Sequence, residues 1–166
     1  MAELTGEYEH IIDEKSRLFV SSKLRSSIDV EEYGSDFYLT FGSNKILCLY
    51  PEKSFKKLVA AAAARAAAPD EAIAIERMFY AKSPRVEFDR QGRLLLSEKV
   101  RKQANLGSQL TIIGSRDHVE IWNTDDWQRY SADQDAVYEK LMAEARQAVF
   151  QKESQQVAGR NHIQEE

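Results

Sequence analysis

Asp13 and Arg17 stand four residues apart, and Asp89 and Arg93 repeat the pair 76 positions later. A carboxylate and a guanidinium at that spacing can do one of two things. If the two halves of the chain faced each other, Asp13 and Asp89 could form a paired-carboxylate acid–base site. Alternatively, each Asp binds its own Arg across a tight turn and holds the guanidinium in place. A fork held in that way suits a phosphate or a guanine edge, which a lysine cannot match. The second reading is preferred, and no catalysis is expected. Further cations flank both pairs: Lys15, Lys23 and Arg25 in the first copy, Arg90, Lys99, Arg101 and Lys102 in the second. On charge alone these would be a solvated basic face. In register with the two Asp–Arg pairs they become candidates for meeting phosphates and base edges. Other chemistry is poorly supplied. His10, His118 and His162 are scattered, so no metal is expected. Cys48 has no histidine near it in sequence and reads as a small core residue. There is no Gly-rich phosphate loop, and no cofactor is expected.

The elements that must position these residues also come in two copies. Tyr8 to Asp13 reads as a strand, Asp13 to Ser16 as a turn and Leu18-Phe19-Val20 as the return strand of a hairpin. Arg85 to Phe88, the turn Asp89 to Gly92 and Leu94-Leu95-Leu96 repeat the pattern, with Gly92 supplying the positive φ that such a turn often needs. A short helix follows each copy, from Ser21-Ser22 and from Ser97, with serine as the cap. Phe37 to Phe41 and Ile46 to Tyr50 form a second hairpin, answered by Gln109 to Ile113 and Val119 to Trp122. Between the copies, Pro51 suits the first turn of a helix that runs through the alanine tract to Ala68. Pro69 ends it, and Asp70 caps a second helix with Ile73, Ile75, Met78 and Phe79 available for burial. Phe55, Leu58, Met78 and Phe79 are more than one small domain needs to bury, which predicts contact between subunits. Thr124 caps the helix of Asp125-Asp126-Trp127. A longer helix follows Ser131, with Val137, Leu141, Ala145 and Val149 at i, i+4 spacing. From about Gln151 the chain is polar and expected to fray.

A chain of 166 residues with 43% hydrophobic and 30% charged residues suits one soluble domain or a duplicated one. No apolar run approaches the roughly 18 residues of a membrane span. No secretion signal is read at the N-terminus, and a cytoplasmic protein is expected. The net charge of −4 is unevenly spread. Residues 1–119 carry 18 Lys and Arg against 17 Asp and Glu, and residues 120–166 carry 5 against 10. The acidity therefore belongs to the C-terminal region, and the repeated motifs are local basic islands.

The stretch Gly6-Glu7-Tyr8-Glu9-His10-Ile11-Ile12-Asp13-Glu14-Lys15-Ser16-Arg17-Leu18 resembles the start of MraZ-type transcriptional regulators. Members of that family carry two Asp-x-x-Gly-Arg motifs, each within an AbrB/SpoVT-like half. Asp89-Arg90-Gln91-Gly92-Arg93 matches fully, and in the first copy Ser16 stands in the glycine position. Leu47 to Pro51 with Phe55, and Val119 to Trp122 with Trp127, resemble the endings of the two halves. Ser21 and Ser97 stand where a proline commonly follows the strand. The resemblance covers about residues 5–150. It implies an α+β fold: a swapped-hairpin β-barrel of two tandem repeats with peripheral helices, its two Asp–Arg turns near one another on one face. The divisions expected are 7–54 for the first SpoVT/AbrB-like repeat, 55–82 for connecting helices, 83–126 for the second repeat and 127–166 for a C-terminal helix and acidic tail. It implies a nucleoid-associated, ring-like homo-oligomer that binds double-stranded DNA and controls the division and cell-wall gene cluster from its upstream repeats. No membrane or small-molecule partner is implied. In the family the Arg of each motif is tied to DNA binding, which carries over to Arg17 and Arg93, with Asp13, Asp89 and Gly92 shaping the turns. The alternative is a ring-forming structural or protein-interaction module that has lost DNA binding.

Overall fold

The computed structural model describes residues 3–29, 31, 34 and 36–162, with side chains as far as Gln155. It divides into two compact units, Met1–Asp125 and Asp126–Glu166. The described strands are β1 (Glu7–Ile11), β2 (Arg17–Phe19), β3 (Phe37–Phe41), β4 (Leu47–Pro51), β5 (Arg85–Val86), β6 (Arg93–Leu95), β7 (Gln109–Ser115) and β8 (His118–Asn123). The described helices are α1 (Ser22–Ser26), α2 (Glu52–Ala63), α3 (Pro69–Lys82), α4 (Glu98–Gln103) and α5 (Thr124–His162). The fold class is α+β, with antiparallel strand pairing throughout.

Six strands form one open sheet in the order β1-β7-β8-β4-β3-β5, and β2 pairs with β6 in a separate ribbon. Exchanging the two halves of the chain turns β1 into β5, β3 into β7 and β4 into β8, and returns the same order read backwards. The register is preserved as well. Glu9 lies opposite Thr111 and His10 opposite Leu110, while Arg85 lies opposite Tyr38 and Val86 opposite Phe37. The centre of this pseudo-symmetry falls between β4 and β8, where Cys48 faces Glu120.

The expected hairpin of residues 8–13 with 18–20 does not form. The Asp13 turn is present, but β1 pairs with β7 and β2 with β6, each in the other half. A lone two-stranded hairpin is marginal in water. The exchange instead places Leu18, Val20, Leu94 and Leu96 in one core with Leu4, Leu39, Leu47, Leu49, Leu110, Ile112, Val119 and Ile121. The second expected hairpin, β3 with β4, is observed.

Three helix boundaries also differ from expectation. Pro51 is the last residue of β4 and the N-cap of α2 rather than its first helical residue. The alanine tract does not run to Ala68. α2 ends at Ala63, and Pro69 opens α3 at its first turn, so the proline starts a helix instead of stopping one. Ala68 is extended at φ −144° and ψ 155°, as a residue before proline prefers. Asp70 lies inside the first turn and is not the cap. The Glu71 carboxylate accepts from the Ala67 backbone N–H at 2.7 Å. Phe55, expected as surplus apolar surface, is fully buried, stacked on Tyr38 at 4.5 Å and met edge-on by Tyr80. Ile73 and Met78 remain exposed, while Ile75 and Phe79 are partly covered.

Thr124 is the first residue of α5 and not its cap, and the Thr111 hydroxyl donates to the Thr124 hydroxyl at 3.0 Å. α5 continues without a break beyond Ser131 and Gln151. Val137, Leu141 and Val149 are exposed on it. No helix among the described residues is long and apolar enough to cross a membrane.

Candidate nucleic-acid interface

The two Asp-x-x-x-Arg turns are built identically. Asp13 N–H donates to the Arg17 carbonyl at 3.0 Å and Ser16 N–H to the Asp13 carbonyl at 2.9 Å. One Asp13 oxygen accepts from the Lys15 and Arg17 backbone N–H groups, both at 2.9 Å. The other accepts from Arg17 Nε at 2.7 Å. In the second half, Asp89 N–H and Gly92 N–H make the same two backbone bonds, both at 2.9 Å. Asp89 accepts from the Gln91 and Arg93 N–H groups at 2.9 Å and from Arg93 Nε at 2.8 Å. A short acceptor that satisfies two backbone donors is how Asp commonly fixes a turn. Here its second oxygen also fixes the arginine.

The last turn residue must adopt positive φ. Gly92 does so at 77°, where glycine is unstrained, and Ser16 at 59°, where a Cβ is disfavoured. The Arg17 backbone N–H bond, reinforced by the Arg17 side chain and the Lys15 N–H, outweighs partial desolvation and holds the Asp13 carboxyl below its ordinary range. Asp89 is lowered for the same reason by Arg93 and Gln91. Both carboxylates are therefore charged at neutral pH, and neither is a poised acid. The paired-carboxylate reading gains nothing from this geometry.

The β2–β6 ribbon brings the two forks onto one face. Leu18 lies opposite Leu94, and both point into the core at zero exposure. Alternation then turns Arg17 and Phe19 outward from β2, and Arg93 and Leu95 outward from β6. Arg17 is opposite Leu95, and Arg93 is opposite Phe19. The two arginines are thus diagonal neighbours, about 7–8 Å apart at the backbone, with the turns projecting from opposite ends of the ribbon. The Arg17 and Arg93 side chains are 30% and 26% exposed. Each commits Nε to its Asp. Phe19 and Leu95 are exposed between them, Leu95 at 61%. Neither was a candidate from sequence, although the Arg-Leu-Phe and Arg-Leu-Leu alternation was the signal for an outward apolar residue.

Lys15, Lys23, Arg90 and Lys99 are exposed around the turns. Lys102 pairs with Glu98 at 2.7 Å in solvent. Arg25 and Arg101 are different. Both are half-buried, and both lie against the turn of the opposite half. Cys48 is buried, as expected. His118 is largely covered: it stacks on Tyr50 at 4.5 Å and lies 3.1 Å from Asp117 and 3.4 Å from Glu120. Burial opposes its charge, but Cys48 and these carboxylates outweigh burial and raise its pKa above the ordinary value. Glu120 also accepts from Trp122 Nε1 at 2.8 Å. No cluster among the described residues could hold a metal ion.

Two successive segments, residues 4–77 and 79–151, match the family model described as "MraZ protein, putative antitoxin-like". The duplication read from the motifs is thus also a duplication of the family unit. A protein of Caldicellulosiruptor saccharolyticus named "Transcriptional regulator MraZ" is 36% identical over 138 residues, covering 83% of this chain and 93% of the relative. Relatives of the same name from Finegoldia magna and Heliobacterium modesticaldum are 33% and 35% identical over 136 residues, covering 82% of this chain and 92% of each relative.

Proposed function

This chain belongs to the MraZ family, and from that premise we propose that it is a sequence-specific, DNA-binding transcriptional regulator. The observation that carries the reading is the pair of arginines, each held by its own Asp through Nε, on one face of the β2–β6 ribbon. Each guanidinium spends Nε on its Asp, which leaves its Nη N–H groups to meet a phosphate or a guanine edge. The Asp carboxylates orient the forks and do not face DNA, because a carboxylate against phosphate would be repelled. Lys15, Lys23, Arg90 and Lys99 supply sequence-independent attraction from both flanks.

The exchanged strands support the AbrB/SpoVT-like reading, in which the ribbon and the six-stranded sheet together make a swapped-hairpin barrel from repeats at 7–54 and 83–126. Its targets are the upstream repeats of the division and cell-wall gene cluster. It acts in the cytoplasm at the nucleoid, as a ring-like homo-oligomer. Exposed apolar residues on α3 and α5 support self-association. The test is a gel shift on the DNA upstream of its own gene, with wild type and Arg17→Ala/Arg93→Ala compared after light scattering has confirmed equal assembly. Loss of binding is expected. Unchanged affinity would reduce the two motifs to architecture and favour a ring-forming interaction module.

A further inference from the structure

We propose that Arg25 and Arg101 are positioning residues rather than DNA contacts: each braces the turn of the opposite half, and the residue that closes that turn sets how it is braced. The consequence for DNA rests on the function proposed above; the bracing itself does not.

The two arginines are repeat equivalents on α1 and α4, 76 residues apart. Arg25 lies flat on Gly92. A Cβ at Gly92 would sit 2.4 Å from the Arg25 guanidinium carbon, so the arginine occupies the space that glycine leaves. Arg25 Nε donates to the Val20 carbonyl at 2.9 Å, and Val20 N–H donates to the Gly92 carbonyl at 3.0 Å. The Arg25 guanidinium also lies 6.0 Å from the centre of the Phe19 ring. Gly92 directly precedes Arg93, so Arg25 braces the backbone from which the second fork springs.

The other half retains the plan with one change. Leu96 N–H donates to the Ser16 carbonyl at 2.9 Å, the counterpart of the Val20–Gly92 bond. Ser16, however, carries a Cβ where Gly92 has none. Arg101 reaches the Ser16 hydroxyl through Nη1 at 3.0 Å, while its buried Nε has no hydrogen-bond partner among the described residues. Arg25 makes that bond, to Val20; Arg101 does not make its equivalent. One side chain at the turn thus moves the arginine from a carbonyl-bonded seat to a hydroxyl-bonded one. Arg17 and Arg93 are therefore supported differently, and a single chain offers DNA two inequivalent forks.

The test uses the full-length protein in two arms. The first needs no DNA. Amide exchange should quicken at Gly92 and Arg93 in Arg25→Gln, and at Ser16 and Arg17 in Arg101→Gln, each in the half that does not carry the substitution. Arg25→Lys and Arg101→Lys keep the charge and the aliphatic stem but lose the planar fork, and should show the same exchange pattern if the glutamine variants fold poorly. Ser16→Gly should seat Arg101 as Arg25 is seated, seen as slowed exchange of Arg101 Nε–H. In the second arm, affinity for a promoter duplex is measured against salt. Removing a brace should weaken binding roughly ten-fold, the scale of one charge-assisted hydrogen bond, with the slope of log K against log salt unchanged. Removing an arginine that touched a phosphate would instead lower that slope by about 0.9. Unchanged exchange at the opposite turn, or a slope reduced in that way, would overturn the proposal. If wild type binds no DNA, the function fails and the exchange arm alone decides the bracing.

Discussion

At the scale of single residues, the Asp–Arg pair divides its labour by atom. One Asp oxygen serves the backbone and the other serves the guanidinium. Truncating Arg93 should therefore weaken DNA binding without disturbing the turn. Arg93→Ala is expected to cost roughly 1–3 kcal/mol of DNA binding for each bond its guanidinium makes to a base, with fold and assembly unchanged, measured by fluorescence anisotropy beside light scattering. Asp89→Ala should reverse that pattern, loosening the turn first and weakening binding through it. The carboxylates also fix a pH response. Their folded pKa values lie below the ordinary value, so their stabilising contribution is complete above about pH 4. It is lost only as pH falls through the lower, folded values. In an NMR titration, the Lys15 and Gln91 amides should hold their positions down to about pH 4 and move together below it. Movement above pH 5 would show that the braces are not formed in solution.

At the scale of elements, what could be read in advance was what depends on near neighbours in sequence. The turns, the short helices after Ser21 and Ser97, and the β3–β4 hairpin rest on contacts within a few residues. Partner choice does not. β1 and β2 would show the same alternation whether they paired with each other or with β7 and β6, and only the common core around Leu18 and Leu94 decides the matter. The alanine tract fails for another reason: without periodicity, nothing marks Ala63 as an end, and Pro69 fits both a stop and a start. The positive φ of Ser16 was hidden because serine rarely adopts it. The ribbon makes its own prediction. Leu94→Ala deletes a fully buried side chain at the seam of both halves and should cost about 2–5 kcal/mol. Chemical denaturation of residues 1–125 should still show one transition, since no half owns a complete core. Two separate transitions would mean that the halves fold independently.

For the whole molecule, α3 and α5 leave Ile73, Met78, Val137, Tyr138 and Leu141 exposed, more apolar surface than a lone 19.0 kDa chain should present. Light scattering at micromolar concentration should report a multiple of that mass, and a monomer would refute the assembly. An assembly that displays several ribbons should bind DNA with a steep salt dependence, about −0.9 in slope per phosphate neutralised; a flat response would leave the basic islands as solvated surface. The backwards-reading strand order carries a further consequence, for synthesis. Glu7 pairs with Ile113, so β1 has no partner until more than 100 further residues have been made, about 5–20 s at usual rates of translation. Until β5 and β6 are made as well, the growing first half can complete only its β3–β4 hairpin among the described strand pairs. A second nascent chain on the same message offers β1 an equivalent edge of β3, in the register that β5 will later claim. Polysome density, and not only sequence, should therefore influence how much of this protein emerges correctly paired with itself.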